Sequence, residues 1–65
     1  MSELELIKEG MQRHRQLLAQ RKRLMREFGS THAGVIRTNV LIQGVEERLL
    51  KLIPKEILQE ATEEL

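Results

Sequence analysis

The sequence contains no cysteine, aspartate, tyrosine or tryptophan, and it has one phenylalanine and one proline in 65 residues. Without cysteine, neither a disulfide nor a thiolate metal site can form, and His14 and His32 are spaced unlike any zinc-binding pair. The shortage of aromatic rings removes the stacking platforms and pocket linings that many nucleic-acid and small-molecule sites use. We therefore expect neither a metal nor a cofactor.

Catalytic motifs are missing as well. The four glycines are scattered, and none precedes the Lys-Ser or Lys-Thr pair of a phosphate-binding loop. The absence of aspartate excludes a Ser-His-Asp arrangement, and neighbouring glutamates such as Glu46 and Glu47 diverge on a helix. The sequence predicts a protein that is not an enzyme and has no catalytic residues.

Long apolar runs are also absent, since the longest, such as Val40-Leu41-Ile42, have three residues. Such runs are far too short for a membrane span or a signal-peptide core. We expect a cytoplasmic chain with no membrane partner. A chain of this length buries only about 60% of the surface that it exposes when unfolded, so self-association is an expected source of stability.

What the sequence does contain is helical periodicity. From Glu3 to Phe28 there is no proline, and strong helix formers dominate, which predicts a first helix over about residues 3–28. Gly29, Ser30 and Thr31 predict a turn at 29–31, with glycine ending one helix and Ser or Thr capping the next. The expected apolar face of the first helix comprises Leu6, Ile7, Leu17, Leu18, Leu24, Met25 and Phe28, with Leu4 and Met11 at its margin.

A second helix is predicted over about residues 32–53, ended by Pro54. Its expected main stripe comprises Val35, Thr38, Leu41, Ile42, Val45, Leu49, Leu52 and Ile53. The segment 35–42 is rich in β-branched residues, but a lone strand would have no partner here, so we favour the helix.

Pro54 also opens a short third helix, predicted over about residues 55–64. Its apolar residues Ile57, Leu58, Ala61 and Leu65 share one face and must dock on something, because so short a helix is marginal alone. The expected fold is all-α, a hairpin of two long antiparallel helices plus this short helix. We expect one domain over 1–65 that assembles into a coiled-coil-like helical bundle.

A second apolar set, Ile36, Val40 and Leu50, points away from the main stripe of the second helix. Three interpretations of this set are open: the C-terminal helix folds back over it, two hairpins pair through it as a dimer, or a different protein binds to it. We favour the dimer.

Two polar residues, His14 and Arg21, lie on the apolar side of the first helix, seven residues apart. Arg21 either extends to water at the edge of the core or pairs with Glu46 or Glu47. Alternatively, His14 and Arg21 form a polar layer that sets register and oligomeric state.

Charge is segregated along the chain. Residues 8–26 carry seven basic side chains and one acidic, a balance of +6, whereas residues 46–65 carry three basic and six acidic, a balance of −3. Lys8, Arg15, Lys22 and Arg26 share one stripe of the first helix, about 27 Å long. This stripe is interpreted as a solvated face, as a partner for the acidic tail, or as a set of phosphate contacts.

These patterns favour a small non-enzymatic interaction module, an oligomerising adaptor, assembly factor or regulator. We expect a homo-oligomer, with a dimer favoured, that also binds a larger protein. The alternative hypothesis is a dimeric regulator that binds nucleic acid through the basic face of its first helix.

Overall fold

The structure, a computed structural model, describes residues 2–63, which form three α-helices joined by short turns. Helix α1 spans Glu3–Phe28, α2 spans Ala33–Leu50 and α3 spans Lys55–Glu63. At 1.5 Å per residue the 26 residues of α1 are about 39 Å long, which matches the 38 Å long axis of the molecule. Residues 2–63 contain no strand, so the predicted all-α helical hairpin with a short C-terminal helix is confirmed.

Short-range hydrogen bonds set the ends of α1 and the start of α2. Ser2 Oγ accepts from the Glu5 N–H at 3.2 Å, and the Gly29 N–H donates to the Met25 carbonyl at 3.0 Å. Gly29 has a φ of +87°, which glycine adopts without strain. The cap of α2 is His32, whose Nδ1 accepts from the Gly34 N–H at 3.0 Å. Our expectation of a Ser or Thr cap was wrong, because the longer imidazole reaches the free amide instead.

Pro54 ends α2 earlier than the predicted position near residue 53. The Leu52 and Ile53 N–H groups both donate to the Leu49 carbonyl, at 2.9 and 2.8 Å. The bond from Leu52 spans only three residues, so the α-helix gives way to a tighter turn after Leu50. Proline lacks the N–H that would bond the Leu50 carbonyl four residues earlier, and its ring clashes with that carbonyl, which accounts for the early end. The Pro54 carbonyl then accepts from Ile57 and Leu58 and starts α3.

The core lies between α1 and α2 and is completed by one residue of α3. Its buried residues are Leu17, Val35, Ile42, Leu49 and Leu58, together with the polar His14 and Thr38. The hydroxyl of Thr38 donates to the Gly34 carbonyl within its own helix, at 2.7 Å. Leu49 packs tightly against the backbone of α1 at Gly10, where an added Cβ would lie 2.6 Å from Leu49 Cδ2.

Helix α3 folds back along one flank of the hairpin and covers only part of it. Leu58 shares a surface groove with Glu46 and Leu50 of α2, and Thr62 shares another with Leu18 of α1. The last described turn of α3 therefore lies beside the middle of α1. We call the part of the hairpin beyond it, residues 21–40 around the turn, the tip, and the part that carries α3 the base.

Four residues expected in the apolar faces are more than one-third exposed: Leu6, Met25, Phe28 and Leu41. The clearest correction is Phe28, which is 56% exposed at the tip. Phe28 is the last residue of α1, and α2 begins only at Ala33, so no helix passes over its ring.

Candidate interaction surfaces

One polar pair crosses the hairpin at the base. His14 is 2% exposed, and its Nε2 donates a hydrogen bond to Glu46 Oε2 at 3.0 Å. A buried imidazole without a partner would cost free energy, and this carboxylate removes that cost. His14 therefore lies inside the bundle as a paired polar residue.

A second polar pair crosses at the tip, where Arg21 Nη1 donates to Asn39 Oδ1 at 2.9 Å. The expected partner of Arg21 was Glu46 or Glu47, and that expectation was wrong. Glu46 is seven residues from Asn39, about 10 Å along α2, and is bonded to His14. Arg21 is half-buried at the edge of the hairpin, as the edge interpretation predicted. A register-setting role for His14 and Arg21 stays a prediction.

The seven-residue spacing offers a signal that sequence reasoning missed. His14 and Arg21 are seven apart on α1, and Asn39 and Glu46 are seven apart on α2. In an antiparallel hairpin two such pairs meet at matching levels, first with last. If Glu46 is paired with His14, this spacing therefore predicts Asn39 as the partner of Arg21.

The second apolar set of α2 is divided by the fold. Leu50 lines the groove beside Leu58 of α3 and is 45% exposed there, so α3 covers it only in part. Ile36 and Val40, in contrast, are 56% and 63% exposed. Neither residue lines a groove that α3 shares with the hairpin. Ile36 and Val40 thus form an exposed apolar pair one helical turn apart.

The aromatic ring of Phe28 extends this apolar surface at the turn. Its centroid is 4.6 Å from that of His32, with the two planes inclined by 22°. Ile36 lies one turn of α2 beyond His32. We call Ile36 and Val40, together with the adjoining Phe28–His32 stack, the tip face. Sequence analysis placed Phe28 in the core and so did not assign it to this surface.

A groove with basic edges runs along α1 where α3 ends. Its apolar lining residues are Leu18, Ala19 and Met25, its basic ones are Arg15, Arg21, Lys22 and Arg26, and Thr62 of α3 completes the lining. We call this surface the basic groove. Three of the four residues named as possible phosphate contacts therefore line one concave surface, while Lys8 is exposed further toward the start of α1.

The basic side chains of α1 have no acidic partner in the described part of the chain. Within residues 2–63, no Lys or Arg side chain forms a salt bridge with a carboxylate, and His14–Glu46 is the only contact between a basic and an acidic side chain. The predicted pairing of the basic stripe with the acidic tail is not formed within that range. Glu64 lies outside the described residues.

The predicted docking residues of the C-terminal helix differ in burial. Leu58 is buried, Ala61 is partly buried and Ile57 is 48% exposed. Leu65 lies outside the described residues. The docking of α3 therefore depends mainly on Leu58, and its glutamates Glu56, Glu60 and Glu63 all face solvent.

Residues 2–63 contain no group of three or more His or Glu side chains arranged to hold a metal ion. In the same range, the helices are too short or too polar for any of them to cross a membrane. The sequence matches no known protein family, and no similar protein was found among curated sequences or solved structures.

Proposed function

We propose that this protein is a non-enzymatic interaction module that pairs with a second copy of itself through the tip face. The observation that carries the proposal is the exposure of Ile36 and Val40, side by side on a stretch of α2 that neither α1 nor α3 covers. Contiguous exposed apolar surface on a small helical protein is typical of a binding surface.

The area that a stable interface needs indicates which residues must belong to the dimer contact. A standard interface covers roughly 800 Å² on each partner, about a sixth of the 5133 Å² surface of this chain. Ile36 and Val40 alone are too small for that area. The contact must extend to Phe28 and His32, so the proposed dimer packs two tips together and completes a four-helix arrangement there.

Burial of apolar area contributes about 25 cal/mol per Å², so loss of the central side chains removes most of the driving force. In the proposed dimer, Ile36→Glu or Val40→Glu introduces a carboxylate into the centre of the contact. Both positions are exposed in the single chain, so either variant keeps its helices. Measuring both the mass and the helix content of these variants therefore distinguishes loss of association from loss of folding.

The test is the mass in solution measured by light scattering over a range of concentrations. The wild-type protein should have twice the 7.6 kDa mass of the chain, and Ile36→Glu and Val40→Glu should have the single mass with unchanged helical circular dichroism. Arg23→Glu is the matched control, because Arg23 is an exposed tip residue on the far side of α1. A monomeric wild-type protein, or a dimer in both variants, would refute the proposal.

The absence of cysteine permits a second, positional measurement. A single cysteine in place of Val40 should be joined to its counterpart in the other copy by a short bis-maleimide reagent. A cysteine in place of Arg23 should not. Equal cross-linking at both positions would indicate random collisions and not a defined interface.

A further inference from the structure

We infer that the basic groove on α1 binds an acidic amphipathic helix of a different protein. This surface is distinct from the tip face, since it is formed by α1 and the end of α3, whereas the tip face is centred on α2. The inference goes beyond self-association and does not depend on it.

The groove extends along two turns of α1. From Leu18 to Met25 its length is about 10 Å at 1.5 Å per residue. Among the described residues of α3, only Thr62 lines it. The groove therefore offers about two turns of α1 surface to a second helix.

The charges along the groove select the partner. Arg15, Lys22 and Arg26 line it without an acidic partner within residues 2–63, and Arg21 at its edge is bonded to the neutral Asn39. Glutamates on a bound helix would satisfy these cations. The glutamates of α3 do not do so, since α3 docks through Leu58 and its Glu56, Glu60 and Glu63 face solvent.

The apolar residues of the groove distinguish a peptide from a nucleic acid. Exposed ion pairs contribute only about 0.2–1 kcal/mol each, so the contact also needs buried apolar area. Leu18 and Met25 provide it, and the flexible methionine adapts to different side chains. A phosphate backbone has no apolar group to place there, and the groove has no aromatic residue on which a base could stack.

The test uses fluorescence anisotropy with a labelled synthetic peptide of about fourteen residues, which has leucines at helical spacing on one face and glutamates elsewhere. The full-length protein should bind this peptide, and added salt should weaken the binding. Met25→Glu and Lys22→Glu should each weaken it at least tenfold. Arg23→Glu, which makes the same charge change as Lys22→Glu at a residue that does not line the groove, should weaken it much less.

Two further ligands identify the kind of recognition. A scrambled peptide of equal composition has the same charge but no apolar face, and it should bind at least tenfold more weakly. A single-stranded oligonucleotide of equal net charge should also bind more weakly than the helical peptide. Equal binding of the scrambled peptide, or tighter binding of the oligonucleotide, would overturn the inference.

The monomeric variant Ile36→Glu separates this inference from the proposed function. Peptide binding should persist in that variant, because the basic groove lies within one chain. Failure of the wild-type protein to bind the peptide, or loss through Arg23→Glu as large as through Met25→Glu, would refute the groove and leave the dimer untouched. Circular dichroism of each variant shows that its helices are retained.

Discussion

The base and the tip of the hairpin are built from the same two helices, yet only the base has a third helix on its flank. Between α1 and α2 both ends are well packed, since Leu49 at the base and Val35 at the tip are equally buried. On the flank they differ. Leu58 of α3 is buried at the base, whereas Ile36 and Val40 are exposed at the tip.

The polar pairs follow the same division. His14 is buried with Glu46 at the base, whereas Arg21 and Asn39 bond at the tip, in a contact that is largely exposed. A short helix of nine residues thus decides which flank is interior and which remains available for binding. In a small chain, a helix that covers only part of a hairpin leaves the rest of the hairpin surface exposed for binding partners.

The largest expected difference between base and tip concerns the free energy of unfolding. Leu49→Ala should lower it by about 2–5 kcal/mol, because a fully buried leucine leaves a cavity. Ile36→Ala should change it by less than about 0.5 kcal/mol in the single chain. Urea denaturation of both variants at one low concentration measures this, because self-association makes stability depend on concentration. Similar losses at both positions would contradict the division.

A smaller difference is expected between the two polar pairs. His14→Ala should cost roughly 1–3 kcal/mol, because it removes a buried ring and leaves Glu46 without its partner. Arg21→Ala should cost less than about 1 kcal/mol, since water can replace its contact with Asn39. Thermal unfolding of the two variants checks the order. A larger loss of stability in Arg21→Ala than in His14→Ala would show that the polar pair at the tip contributes more to stability than the pair at the base.

The smallest effects are expected at two glycines inside helices. Gly44→Ala should stabilise the protein by about 0.5–1 kcal/mol, because alanine favours helix and an added Cβ meets nothing within 4 Å. Gly10→Ala should show no such gain and should cost about 1 kcal/mol, because its Cβ would displace the buried Leu49. Denaturation midpoints measure both, and stabilisation by both changes would show that the base tolerates a wider helix separation.

Much of the fold was predictable because local rules govern it. The period of apolar residues predicted α1 and α2, Gly29 predicted the end of α1, and Pro54 predicted the break before α3. The interaction surfaces were predictable only in part. Ile36 and Val40 were named from the helical wheel, but Leu50 was grouped with them although it lies beside α3. The groove on α1 was not predicted, since its shape depends on where α3 stops.

The sequence by itself determined three helices, their order and their amphipathic faces, because spacing, caps and proline act over a few residues. Only the tertiary structure decided which residues meet across the hairpin. His14 and Glu46 are 32 positions apart, and their contact forms only when the two helices pack against each other. The close contact at Gly10 and the length of flank that α3 leaves open likewise depend on how whole helices pack, and packing is set by all three together.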